Sequence, residues 1–158
     1  MTKQDPNDHD TFSELVARQL AMAALARAEP AELDSILEAL GPLPKANDLR
    51  APEVGLVMLR GRTGGDGAPF NLGEATVSRA AVKLDGGAAG FSYRLGRAPQ
   101  SARAAAIIDA LWQDGHRRAA VETALAPVRR RLARETGTVR AETAATKVEF
   151  FTLVRGED

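Results

Sequence analysis

The chain has 158 residues, 44% of them hydrophobic and 27% charged, which suits one globular domain. It contains no cysteine, which excludes a disulfide framework, thiolate chemistry, cysteine-ligated zinc and iron–sulfur clusters. The formal net charge of zero argues against whole-protein attraction to nucleic acid or anionic lipid.

Residues 1–10 are polar and acidic, without the apolar stretch of a secretory signal, and read as a disordered tail. No apolar run approaches the ~20 residues needed to cross a bilayer, so no membrane partner is expected and the expected compartment is the cytoplasm. Thr11-Phe12-Ser13-Glu14 has the spacing of a capping box and predicts a helix to about Ala28. Phe12, Leu15, Val16, Met22, Ala23 and Ala26 form its expected buried stripe. Pro30 opens a second helix with Leu33, Ile36, Leu37 and Leu40 on its apolar face, and Gly41-Pro42 ends it. The two helices make an expected hairpin over 11–41.

After a loop from Pro42 to Pro52 the periodicity changes. Val54–Leu59 is a short apolar run that predicts a buried strand. Thr63–Gly67 is a glycine-rich turn, and Ala68–Gly73 reads as continuing loop. Ala75–Leu84 and Ala88–Leu95 flank Asp85-Gly86-Gly87, which predicts a hairpin with Phe91, Tyr93 and Leu95 on one face and Ser92 and Arg94 on the other. Pro99 opens a helix to about Gln113, burying Ile107, Ile108, Leu111 and Trp112. His116–Glu135 follows with Val121, Leu125, Val128 and Leu132 as its stripe, and Pro127 is expected to kink or divide it. Residues 147–155 read as a last strand. The order predicts an α+β fold over 11–158: an antiparallel sheet of about four strands packed with about four helices, with strands over 53–95 and helices over 99–135.

The sequence offers little chemistry. His9 lies in the tail and His116 at an exposed helix start, so neither is positioned as a base, and two isolated histidines without cysteine do not make a zinc site. No catalytic residue and no metal ligand is assigned. Glu53, Glu74 and Asp109 are the carboxylates to consider, with surface charge as the simpler reading. The glycine-rich turn is neither a P-loop nor a dinucleotide fingerprint, since Ala68-Pro69-Phe70 follows Gly67. What remains is an anion nest: Gly64, Gly65 and Gly67 exposing backbone N–H groups beside Arg60 and Arg62, joined by Arg79 if that side chain faces outward. The simpler reading is a hairpin turn flanked by solvated arginines.

Arg117, Arg118, Arg129, Arg130, Arg131 and Arg134 form a basic helical face, the basis of an alternative reading as a nucleic-acid-binding module. It lacks interleaved aromatics for stacking bases, so nucleic acid is not the expected partner. Phe150-Phe151-Thr152-Leu153-Val154 is apolar and strand-prone and must be covered. Burying its two phenylalanines contributes on the order of 3–6 kcal/mol. Phe150, Phe151, Leu153, Val154 and Arg155 are therefore candidate partner-interface residues.

Four stretches together resemble one family. They are Ala51–Val57 (Ala-Pro-Glu-Val-Gly-Leu-Val), Arg62–Glu74 (Arg-Thr-Gly-Gly-Asp-Gly-Ala-Pro-Phe-Asn-Leu-Gly-Glu), Thr76–Val82 (Thr-Val-Ser-Arg-Ala-Ala-Val) and 148–157 (Val-Glu-Phe-Phe-Thr-Leu-Val-Arg-Gly-Glu). They are similar to PhnG, the G subunit of the bacterial carbon–phosphorus lyase core complex, and the resemblance runs from about Thr11 to Asp158. After Leu95-Gly96-Arg97 that family tends to have Asp and, three residues on, His; here those places hold Ala98 and Ser101. The resemblance implies a subunit that assembles with H, I and J subunits, the I subunit most directly, for phosphonate utilisation. It implies that ATP is a substrate of the complex rather than a cofactor of this chain. The implied step displaces adenine from ATP by a phosphonate to give α-D-ribose 1-methylphosphonate 5-triphosphate, with the glycosyl transfer attributed to the I subunit.

Overall fold

The computed structural model describes residues 6–64 and 66–146, with side chains from Phe12 onward. Among the described residues seven elements follow one another: α1 Pro6–Arg27, α2 Pro30–Ala39, β1 Ala46–Arg62, β2 Pro69–Leu84, β3 Ala89–Leu95, α3 Pro99–Trp112 and α4 Gly115–Ala145. The fold is α+β, as expected. The antiparallel sheet has three strands in the order β1-β2-β3 among the described residues, where about four were expected. The expected fourth strand, 147–155, lies outside them.

The β2–β3 hairpin turns at Asp85–Gly87 as its residues require. Gly86 sits at φ 67°, a conformation that costs glycine little, and the Gly87 N–H donates to the Leu84 carbonyl at 3.0 Å. Pairing runs from Lys83 opposite Ala89 to Val77 opposite Leu95. β1 pairs with β2 over a longer span, from Ala46 opposite Leu84 to Arg62 opposite Pro69. β3 therefore ends at Val77, and from Thr76 outward β1 and β2 continue as a two-stranded ribbon.

The helices cover one face of the three-stranded part. α3 lies so close to β3 that a Cβ on Gly90 would sit 1.9 Å from the Ala106 carbonyl oxygen, so only glycine fits there. The core is aliphatic and alanine-rich: Ala21, Leu25, Leu33, Ile36, Val82, Ala102, Ala106, Ile108, Leu111, Trp112, Val121 and Leu125 are all buried. Each fully buried large aliphatic chain contributes about 1.5–3 kcal/mol.

Several expectations change. α1 begins at Pro6, so part of the expected tail is helical; proline at a helix start forfeits no hydrogen bond. Thr11 thereby falls inside the helix, and the Glu14 carboxylate pairs with Arg118 rather than closing a capping box. The buried stripe of α1 is Ala21, Ala24 and Leu25, continued by Ala28 just past its end, with Ala17 partly buried. Phe12, Leu15 and Val16, expected inside, are 66%, 53% and 37% exposed. The small residues win the interior because they let α1 approach the alanine-rich α3 closely. β1 starts at Ala46, inside the expected loop, because its backbone pairs with the end of β2 through register shifts between Asp48 and Glu53. β2 starts at Pro69, inside the other expected loop. α4 runs through Pro127 to Ala145, past the expected end at Glu135. Val121, Leu125 and Val128 stay buried on both sides of the proline, and that packing offsets the one backbone bond it removes.

Candidate functional site

The carboxylates considered for chemistry are engaged elsewhere or lie isolated. Glu53, on β1, accepts from Arg79 Nε at 2.7 Å and from Arg50 Nη1 at 3.0 Å. The Arg79 hydrogen bond, above all, holds its carboxyl below the ordinary glutamate range, which makes it a poor proton acceptor. Asp109, on α3, is 1% exposed, and its oxygens accept from Arg18 Nε at 3.0 Å, Arg18 Nη2 at 2.8 Å and the Phe91 N–H at 2.9 Å. It clamps α1, α3 and β3 together. Glu74 is exposed on the ribbon opposite Met58. His116 is exposed, and its backbone N–H donates to the Asp114 carboxylate that caps α4. Among the described residues no group of three His, Asp or Glu side chains is placed to hold a metal ion. No described helix is long and apolar enough to cross a membrane.

The anion-nest candidates divide. Arg60 and Arg62 are both exposed near the ribbon tip, and two positions apart on a strand they share a face. Gly64 takes φ 62° in the turn. The Gly67 N–H donates to the Thr63 carbonyl at 3.0 Å, and Arg62 Nη1 reaches the Gly67 carbonyl at 3.4 Å. Gly67 thus serves the turn itself, and Gly65 lies outside the described residues. Arg79 does not join the tip. It pairs in register with Glu53, nine strand residues from Arg62, or roughly 30 Å at ~3.3 Å per residue.

The basic helical face is engaged in part by carboxylates of α1, α2 and α4 itself, while Arg130 and Arg134 are exposed. Arg131 binds Glu32 through Nε at 2.8 Å and Nη2 at 2.7 Å, and Glu135 through Nη1 at 2.6 Å. Its pKa is raised, first by the Glu32 hydrogen bond. Arg129 pairs with Glu122, which also accepts from the Trp112 indole N–H at 2.6 Å. Arg118 pairs with Glu14 and stacks 4.4 Å over the Trp112 ring. Arg117 donates to the Pro42 carbonyl at 3.2 Å. Arg118 and Arg131 thereby fasten α4 to α1 and α2.

The more informative surface is apolar. β3 turns Gly90, Ser92 and Arg94 toward the helices, where Arg94 donates to the Leu25 and Ala28 carbonyls at the end of α1. Burial lowers the Arg94 pKa. Phe91, Tyr93 and Leu95 consequently face outward, at 45%, 54% and 77% exposure. On the ribbon, Leu56, Met58, Leu59, Phe70 and Leu72 are all exposed. Leu56 and Met58 alternate onto one face of β1 and Leu59 onto the other. Phe70 and Leu72 both lean over Gly61, on the Leu59 side. Val54–Leu59, expected as a buried strand, is a strand but leaves Val54, Leu56, Met58 and Leu59 exposed. A local apolar run does not show whether another layer packs over the faces of the strand. The interface candidates Phe150, Phe151, Leu153, Val154 and Arg155 lie outside the described residues.

A chain of this kind, with many of its arginines paired to its own carboxylates and an apolar ribbon exposed on both faces, has the surface of a protein that makes contacts with other molecules. The family described as "Phosphonate metabolism protein PhnG" matches residues 16–156, and the chain belongs to that family. Among curated proteins it is similar to "Alpha-D-ribose 1-methylphosphonate 5-triphosphate synthase subunit PhnG" of Rhizobium meliloti (strain 1021), with 50% identity over 141 residues, covering 89% of this chain and 90% of that protein.

Proposed function

We propose that this chain is a structural subunit of an α-D-ribose 1-methylphosphonate 5-triphosphate synthase, working in the cytoplasm with H, I and J subunits of a carbon–phosphorus lyase core complex and most directly with the I subunit. The observation that carries the reading is 50% identity over nearly the whole of both chains with a protein named as a subunit of that synthase. In the reaction a phosphonate oxygen attacks C1′ of ATP. The C1′–O bond forms as the C1′–N9 bond breaks, and adenine leaves with the bonding electron pair. ATP is β at C1′ and the product α, so one displacement with inversion accounts for the outcome. This chain contributes assembly, and the reacting atoms are handled by its partner. The nucleic-acid reading is disfavoured by the ion pairs that occupy Arg118, Arg129 and Arg131.

Co-expression with the I subunit tests the proposal. The expected result is a stable complex of the two chains, with adenine release from ATP and methylphosphonate only when the partner subunits are present. Turnover by this chain alone, or failure to associate with any core subunit, overturns it.

A narrower reading concerns the ribbon tip. Arg60 and Arg62 are exposed on one face beside the Gly64 turn, which suits contact with the triphosphate of ATP in the assembled complex.

A further inference from the structure

A two-stranded ribbon is marginal in water unless something covers it. Here the ribbon of Leu56–Arg62 and Pro69–Thr76 carries no buried residue. On it Leu56, Met58, Leu59, Phe70 and Leu72 are between 45% and 63% exposed. Together they present on the order of 500 Å² of apolar surface, against about 800 Å² per partner in a standard interface and ~300–600 Å² for the largest patch on a typical monomer. This surface is divided between two faces, with Leu56 and Met58 on one and Leu59, Phe70 and Leu72 on the other.

We propose that the ribbon is an insertion arm, and that its occupant is a cleft in a partner subunit lined by apolar side chains on both walls. The proposal rests on the subunit reading above and deepens it by naming the element that docks and the shape that receives it. A second copy of this chain fits less well. A two-fold contact sets one ribbon face against its own copy and leaves the opposite face in water. A flat partner surface has the same defect. A cleft closes over both faces and also takes up the backbone edges that a lone ribbon exposes. Arg60 and Arg62 then travel with the tip to the depth of the cleft.

The test uses the full chain co-expressed with the I subunit, comparing the parent with Met58→Asp and Leu59→Asp, one charge on each face. Neither side chain is buried in the free chain, so both variants are expected to keep the parent's circular dichroism and melting temperature. Both are expected to weaken capture of the partner at least about tenfold, since each places an unpaired carboxylate in an apolar wall. Hydrogen exchange on the parental chain is the second measurement. Amides of both ribbon strands should slow on complex formation, whatever the variants do. If either variant assembles like the parent, or if ribbon exchange is unchanged in the complex, the cleft is wrong. A free parental chain that is a dimer through Met58, with partner capture intact in Met58→Asp, also overturns it. If the parent itself captures no core subunit, the subunit reading has failed, and that result is distinct from a failure of the arm alone.

Discussion

Arg18 and Asp109 meet across 91 positions of sequence in a two-pronged ion pair, and the same Asp109 carboxylate takes the Phe91 N–H of β3. One 1%-exposed carboxylate thus joins the first helix, the third helix and the last described strand. Asp109→Asn keeps the volume but removes the charge, leaving Arg18 without its counter-ion. Losing one partner of a buried pair costs ~3–5 kcal/mol. The Arg18 side chain is 27% exposed, and water tempers its loss, so the expected cost is roughly 2–4 kcal/mol. Urea denaturation measures it; a midpoint equal to the parent's would show that the clamp is idle.

The start of α3 is under-capped. Ala98 holds the N-cap position at φ −135°, with a side chain that accepts no hydrogen bond, and no acidic residue follows in the first turn. Ala98→Asp is expected to stabilise the chain by about 0.5–2 kcal/mol, or roughly 1–8 °C in melting temperature. Calorimetry that finds no rise, or a fall, would reject this.

Acid should loosen the contact between α2 and α4. The Glu32 carboxyl is held below the ordinary value of 4.5, first by its hydrogen bond from Arg131. A depressed carboxyl contributes stability that is fully present above the unfolded-state pKa and is lost as pH falls through the folded-state value. Glu32→Gln is therefore expected to be less stable than the parent at neutral pH, by about 1 kcal/mol as for exposed pairs. The difference should shrink below pH 4.5. Melting curves between neutral and acid pH check the sign, and a gap that widens in acid would contradict it.

Arg62 offers a functional measurement. If the ribbon tip touches the triphosphate, Arg62→Ala in the assembled complex should raise KM for ATP several-fold, losing about 1 kcal/mol or more of charge-assisted binding. Normal assembly with an unaltered KM would remove that role.

Much of the fold was legible in residue spacing. The stripe of Leu33, Ile36, Leu37 and Leu40, the Asp85–Gly87 turn and the burial of Ile108 and Trp112 all follow from local periodicity and turn chemistry. What the spacing did not show was long-range. Alternation in β3 separates Phe91, Tyr93 and Leu95 from Ser92 and Arg94 without saying which set lies inside; α1, whose terminal carbonyls receive Arg94, decides that. The basic face of α4 looked solvated because Glu14 and Glu32 are distant in sequence. The apolar strand at Val54–Leu59 looked buried because most such runs are.

Trp112 is the chain's one tryptophan, 2% exposed beneath Arg118 and far in sequence from the ribbon. Its fluorescence is thus a built-in reporter confined to the helical side of the molecule. Unfolding should shift the emission to the red, while events at the ribbon should leave it nearly unchanged, so a single optical signal separates loss of structure from loss of company.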